Sequence, residues 1–126
     1  MRLYQKGANF ERKLVNQFWD NGFAAIRAAG SGSAPLPLPD IIALKDNRTI
    51  ILECKTTGKD SFRLDKEDVG KLKTFRERAD CEAYIAVKFD KLKPRFFPLD
   101  LLTSLKISKT DTSISFETLL GVQRTL

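Results

Sequence analysis

Pro39-Asp40-Ile41-Ile42-Ala43-Leu44-Lys45-Asp46-Asn47-Arg48-Thr49-Ile50-Ile51-Leu52-Glu53-Cys54-Lys55 holds two short apolar runs around one polar turn. Residues 41–44 and 49–52 read as strands. Lys45-Asp46-Asn47-Arg48 between them has the Asp/Asn chemistry of a hairpin connection. Such a hairpin brings Asp40 back beside Glu53. Side chains alternate along a strand, so Glu53 and Lys55 share one face while Cys54 points to the other. Two carboxylates and one ammonium are thus expected at a single spot. That group suits a hard divalent cation and can steady a water or a phosphate.

Upstream, residues 5–21 read as a helix. Phe10, Leu14 and Phe18, with Val15 and Trp19, form its apolar stripe, and Gly22 stands where a C-terminal glycine is expected. Lys6, Glu11, Arg12 and Lys13 lie off that stripe. Residues 23–28 read as a strand with Phe23, Ala25 and Arg27 on one face. Arg27 is then either a site residue or an arginine reaching for solvent. Residues 29–39 are a Gly/Ser-rich and then Pro-rich loop. Ser31 and Ser33 there offer hydroxyls and backbone amides to phosphate; an ordinary solvent loop is the alternative.

Downstream, Thr57-Gly58-Lys59-Asp60-Ser61 reads as a turn. A helix follows at about 65–79, with Asp65 as N-cap and Val69, Leu72, Phe75 and Ala79 as its apolar line. Its many charges, Asp68 among them, read as a solvated face. Residues 82–89 form a strongly apolar strand expected in the sheet centre. Residues 95–99 suggest a shorter strand, placed near an edge by Pro98. A short helix at 100–105, a weak strand in 106–114 and a last helix over 115–126 complete the order. The fold class is α/β: a mixed central sheet of about five strands flanked by helices, with residues 1–126 as one domain.

Composition narrows the chemistry. The chain has 126 residues and no histidine. Serine–histidine and cysteine–histidine nucleophiles are therefore excluded, as are histidine-dependent zinc sites. Cys54 and Cys81 read as reduced core thiols. Lys and Arg number 22 against 16 Asp and Glu, for a net charge of +6, which favours an anionic partner such as nucleic acid. No apolar run approaches a membrane span, and the N-terminus lacks an apolar signal core. The expectation is a cytoplasmic protein with no membrane partner.

Phosphodiester hydrolysis fits these groups. Asp40 and Glu53 are the candidate metal ligands, with the Cys54 backbone carbonyl as a third and Glu11 as an outer carboxylate. Lys55 could orient the attacking water or neutralise charge. The competing reading is a structural Glu53–Lys55 salt bridge at the sheet edge.

The ordered series Gly7-Ala8-Asn9-Phe10-Glu11-Arg12-Lys13-Leu14-Val15, Gly22-Phe23-Ala24-Ala25-Ile26-Arg27, Gly30-Ser31-Gly32-Ser33, Pro39-Asp40-Ile41-Ile42-Ala43 and Ile51-Leu52-Glu53-Cys54-Lys55 resembles the archaeal Holliday junction resolvases. These belong to the PD-(D/E)XK, or restriction-endonuclease-like, superfamily. The resemblance continues through Val87-Lys88 and Arg95-Phe96 to the C-terminal Leu120-Gly121-Val122-Gln123-Arg124-Thr125-Leu126. It implies a homodimer that binds four-way DNA junctions by shape. It implies paired Mg²⁺-dependent nicks, with Mn²⁺ as a substitute, leaving 5′-phosphate and 3′-hydroxyl ends in recombination and repair. It further implies Asp40 and Glu53 as metal ligands, Lys55 as the catalytic lysine and Glu11 as the helix carboxylate. Arg12 and Arg27 would lie near the scissile phosphate, and Ser31 would be the loop serine. Lys6, Lys59, Arg63, Lys66 and Lys71, with Arg12, Arg27, Ser31 and Ser33, are the candidate DNA contacts. A nucleoid-associated location follows from DNA as partner, with a sliding clamp or recombination proteins as further candidate partners. Two departures stand out: the loop 34–38 lacks the basic pair of several relatives, and Cys54 replaces a common Val or Met. Apolar residues around Phe89, Phe96, Phe97, Phe116, Leu119 and Leu120 are candidates either for a dimer interface or for the chain's own core. The alternatives in activity are a nuclease for another branched or nicked DNA, and a non-cleaving DNA-binding module.

Overall fold

The computed structural model describes residues 3–28 and 35–121. Helix α1 (Leu3–Asp20) leads into β1 (Ala24–Arg27), and the hairpin β2 (Ile41–Lys45) and β3 (Arg48–Thr57) follows. Next come β4 (Ser61–Arg63), α2 (Lys66–Ala79), β5 (Glu82–Phe89) and β6 (Arg95–Pro98). A 3-10 turn (Leu99–Leu101), β7 (Lys106–Ser108) and α3 (Phe116–Gly121) end the described chain. Five strands form one mixed sheet in the order β1-β2-β3-β5-β6. Among the described residues of this sheet, only the β3–β5 pair is parallel. That pair is joined through α2, as parallel neighbours require a crossover.

The hairpin has the expected register. Lys45 pairs with Arg48 and Ile41 with Leu52, leaving Asp46-Asn47 as a two-residue turn. Asp46 adopts φ 53°, a left-handed conformation that Asp tolerates better than most residues. Helix α1 stops at Gly22, whose φ of +86° turns the chain into β1. Its closing bonds run from Gly22 N–H to Trp19 O and from Phe23 N–H to Phe18 O, a Schellman pattern.

The sheet buries apolar residues on both faces. Phe10, Leu14 and Phe18 of α1 pack with Phe23, Ile50, Leu52, Cys54, Phe96 and Phe116 on one side. Val69 and Leu72 of α2 pack with Ile51, Ile85, Val87, Phe89 and Phe97 on the other. Both layers therefore fall between a helix and the sheet, which accounts for the near-continuous apolar run in β5.

Several expectations change. Ser61 begins β4 rather than closing a turn, and β4 pairs antiparallel with β7 in a separate two-stranded sheet. The helix expected at 100–105 shrinks to the 3-10 turn. In the 106–114 stretch only β7 and a bridge from Ile114 to Phe96 are strand-like. Trp19 leaves the apolar stripe: its indole N–H reaches Ala25 O at 2.9 Å while 57% of the residue stays exposed. Phe89, Phe96, Phe97, Phe116 and Leu119 are buried within the chain's own layers, and Leu120 packs against them. The five buried residues complete the core of the chain itself, while Leu120 stays partly exposed. Of the final helix, residues 116–121 are described; 122–126 lie outside the described residues.

Arg48 ties α3 to the sheet. Its Nε and Nη2 donate to the two Glu82 carboxylate oxygens, each at 2.8 Å. Its Nη1 donates to Leu119 O at 2.9 Å and Leu120 O at 3.3 Å, satisfying carbonyls at the helix end. Arg48→Met should cost about 2–4 kcal/mol in urea unfolding, because it removes the Arg48 hydrogen bonds to Glu82 and to those carbonyls. Amide exchange of α3 should accelerate more than that of β3.

Candidate active site

The site forms where the β2–β3 ladder opens. Asp40 precedes β2, and its backbone N–H donates to Leu52 O at 2.9 Å while its carbonyl accepts Ala28 N–H at 2.8 Å. Its carboxylate Oδ2 accepts the Cys54 N–H at 2.8 Å. Backbone and side chain together hold Asp40 against the strand that carries Glu53 and Lys55.

Alternation then sends neighbours to opposite faces. Cys54 joins the layer under α1 and stays a free, buried thiol. Burial, with Asp40, Glu11 and Glu53 nearby, raises its pKa well above the ordinary thiol value, so it is no thiolate nucleophile. Glu53 and Lys55 project to the α2 side. Lys55 Nζ lies 3.5 Å from Glu53 Oε2 and 3.0 Å from Asp68 Oδ2. The Glu53–Lys55 contact that was the competing structural reading is therefore present, but it is one edge of a larger cluster.

On the α1 side, Arg27 Nε donates to Glu11 Oε1 at 2.7 Å, and both side chains are mostly buried. Arg27 thus serves the site rather than solvent: it shares the inward face of β1 with Phe23 and Ala25, under α1. Glu11 is raised above the usual carboxylate pKa, first by burial and then by Asp40, against the opposing pull of Arg27 and Arg12. Glu53 is pushed up to about 8 by burial, with repulsion from Asp40 and Asp68 outweighing Lys55. Burial alone would lower the Lys55 pKa. The Asp68 hydrogen bond and the charges of Glu53, Asp68 and Asp40 reverse that, so its ammonium is held charged. Asp40 is the neighbour common to Glu11 and Glu53, and it joins the two halves of the cluster.

The carboxylates offer oxygen donors only, the preference of a hard divalent cation. Among the described residues, no three acidic, thiol or imidazole groups converge into a cage that would hold an ion unaided. Two carboxylates are nevertheless enough for a hard divalent cation that keeps waters and phosphate oxygens in its shell.

The remaining candidates are more dispersed. Arg12 is exposed, its Nη1 3.3 Å from Asn9 Oδ1. Lys6 lies 3.6 Å from Asp90 Oδ1. Lys59, Arg63 and Lys66 are exposed along the segment linking β3 to α2, and Lys71 is half-buried on α2. Ser31 and Ser33 lie outside the described residues. Two features escaped the sequence reading. One is Asp68, which looks there like an ordinary first-turn acid. The other is a cleft of about 350 Å³ whose lining includes Lys13, Lys88, Lys93 and Arg95 together with Phe10 and Phe116. Those cations come from three separate segments, so only the fold could assemble them.

An Asp at a hairpin mouth, a Glu-x-Lys on the next strand and a helix carboxylate, all around a mixed five-stranded sheet, define a nuclease of the restriction-endonuclease-like α/β class. The family model for archaeal Holliday junction resolvases (Hjc) matches residues 2–126, and the chain belongs to that family. It is 41% identical over 113 residues to the crossover junction endodeoxyribonuclease Hjc of Archaeoglobus fulgidus, covering 89% of this chain and 83% of that protein. It is 41% identical over 87 residues to the corresponding protein of Methanocaldococcus jannaschii, covering 69% of this chain and 62% of the relative. The solved structure of Archaeoglobus fulgidus Hjc, a Holliday junction resolvase, superposes with a TM-score of 0.83 at 34% identity. That match covers 91% of this chain and 100% of the other.

The electrostatics have a measurable sign. Glu53 holds its proton more tightly in the folded chain, at about 8, than at the ordinary 4.5 of a free glutamate, which stands for the unfolded chain. Across that window the folded state binds more protons, so metal-free stability should fall as pH rises. Glu53→Gln should therefore raise Tm above pH 8 in the presence of a chelator and leave it unchanged below pH 4.5. Thermal unfolding across this range reads the effect, and equal Tm values for both proteins above pH 8 would contradict it.

Proposed function

We propose that this chain is a metal-dependent endodeoxyribonuclease that resolves four-way DNA junctions by paired, symmetric nicks. The carrying observation is the convergence on Asp40 of two charged groups, Glu11 with Arg27 and Glu53 with Lys55. Its family membership and the names of its relatives support the junction as substrate.

Asp40 and Glu53 would hold Mg²⁺, or Mn²⁺ in its place, with the Cys54 carbonyl as a further oxygen and Glu11 as an outer carboxylate. The bound ion supplies an activated water and charge neutralisation at the phosphate. Lys55 presents a charged ammonium to the attacked phosphate or its water, and the surrounding carboxylates keep it protonated. Arg27, braced by Glu11, and exposed Arg12 stand ready for phosphate oxygens next to the cut. Ser31 and Ser33, between Arg27 and Asp40 in the sequence, are the hydroxyl candidates for the same phosphates. Lys6, Lys59, Arg63, Lys66 and Lys71 add backbone contacts that position DNA without reading bases. The products carry 5′-phosphate and 3′-hydroxyl ends.

Symmetric cuts need two sites at constant spacing, which a twofold dimer supplies. The outer face of β1 and β2 supports that reading: Ile26 and Leu44 are exposed there beside Ala24 and half-buried Ile42. No helix among the described residues is long and apolar enough to cross a membrane. A cytoplasmic protein associated with the nucleoid through DNA is the matching location.

The test compares Mg²⁺-dependent cleavage of a four-way junction, a flap and a linear duplex. Paired nicks confined to the junction are expected. Equal or faster cutting of the flap would replace the junction assignment with another branched substrate. Tight binding without cutting in either metal would leave a binding module. Asp40→Asn and Glu53→Gln should each abolish cutting while junction affinity, measured in Ca²⁺, persists.

A further inference from the structure

Lys55 has two carboxylate neighbours, and its nearer one is not the residue of the Glu-x-Lys pair. Asp68 Oδ2 accepts a hydrogen bond from Lys55 Nζ at 3.0 Å, against 3.5 Å to Glu53 Oε2. The two partners come from different elements. Glu53 shares β3 with Lys55, whereas Asp68 sits in the first turn of α2.

That turn is held firmly. The Asp65 side chain caps α2 by accepting the N–H of Glu67 at 2.7 Å and that of Asp68 at 3.3 Å. One and four residues beyond Asp68, Val69 and Leu72 are buried against the sheet. Asp68 is therefore delivered to Lys55 by a capped and packed helix. Glu67, the other acid of that turn, is exposed and offers the helix dipole a similar charge. The dipole explains an acid in this turn; it does not explain one aimed at Lys55.

We propose that Asp68 is a positioning residue for strand cleavage, holding the Lys55 ammonium over the Asp40–Glu53 cluster independently of Glu53. This rests on the nuclease reading above. A cation held by Glu53 would repel the Lys55 ammonium. A lysine tied only to Glu53 would swing to solvent. Asp68, on a separate element, keeps Lys55 in place while Glu53 is engaged.

The experiment has two readouts on the full-length chain. The first is ¹H–¹⁵N NMR of lysine ammonium groups in the metal-free protein, with the Lys55 signal identified by its loss in Lys55→Gln. The wild type should show a slowly exchanging Lys55 ammonium. Asp68→Asn should lose it to water exchange, and Asp68→Glu should restore it in part. The second is single-turnover junction cleavage. There Asp68→Asn should lose about 10–100-fold in rate, the range typical of groups that orient a catalytic shell, with junction affinity and Tm retained. Glu67→Gln should match the wild type in both readouts. An unchanged Lys55 signal in Asp68→Asn, wild-type cleavage by that variant, or an equal rate loss in Glu67→Gln overturns the inference alone. A wild type that cuts no junction overturns the nuclease reading, and this inference with it.

Discussion

Asp40 stands where hairpin pairing ends, its carboxylate bound to the Cys54 amide and its own backbone bound to Leu52 and Ala28. Those hydrogen bonds fix its carboxylate where the ladder opens. Asp40 raises the pKa of Glu11 and of Glu53 and favours the charged form of Lys55. Glu53 and Glu11 cannot both ionise cheaply beside it in a partly buried recess. Arg27 and Lys55 place positive charge beside these carboxylates, and the proposed cation would add to it.

The two helices divide the labour around that constraint. Helix α1 lies across one face and contributes Glu11 next to Arg27 of β1. Helix α2 lies on the other and contributes Asp68 next to Lys55 of β3. Strand alternation makes this possible, since Cys54 is buried under α1 while its neighbours Glu53 and Lys55 face α2. A parallel β3–β5 pair needs a crossover, and that crossover is α2 itself. The topology that closes the sheet thus also supplies the second carboxylate of Lys55.

Much of this was legible in the chain. Period-2 alternation and the Asp46-Asn47 turn placed Asp40 beside Glu53, and Asp65 as N-cap and Gly22 as helix stop behaved as their chemistry dictates. Arg27 was ambiguous because a strand-end arginine can face site or solvent, and only the position of α1 decides. Asp68 was unreadable for a different reason: an acid in a helix first turn is ordinary, and its aim depends on how α2 docks. Strands β4 and β7 have three residues each, too few for a periodic signal, and they exist because they pair with one another. The large aromatics at 89, 96, 97 and 116 looked equally suited to an interface, yet the layers of this small fold consume them all.

If Asp40 and Glu53 hold a cation as proposed, the metal-free form keeps a proton on Glu53 near neutral pH. Isothermal titration of Mg²⁺ near neutral pH, repeated in buffers of different ionisation enthalpy, counts the protons released on binding. The account predicts release approaching one proton per site, lost in Glu53→Gln, with binding abolished in Asp40→Asn. Binding without proton release, or undiminished binding by Asp40→Asn, would contradict it.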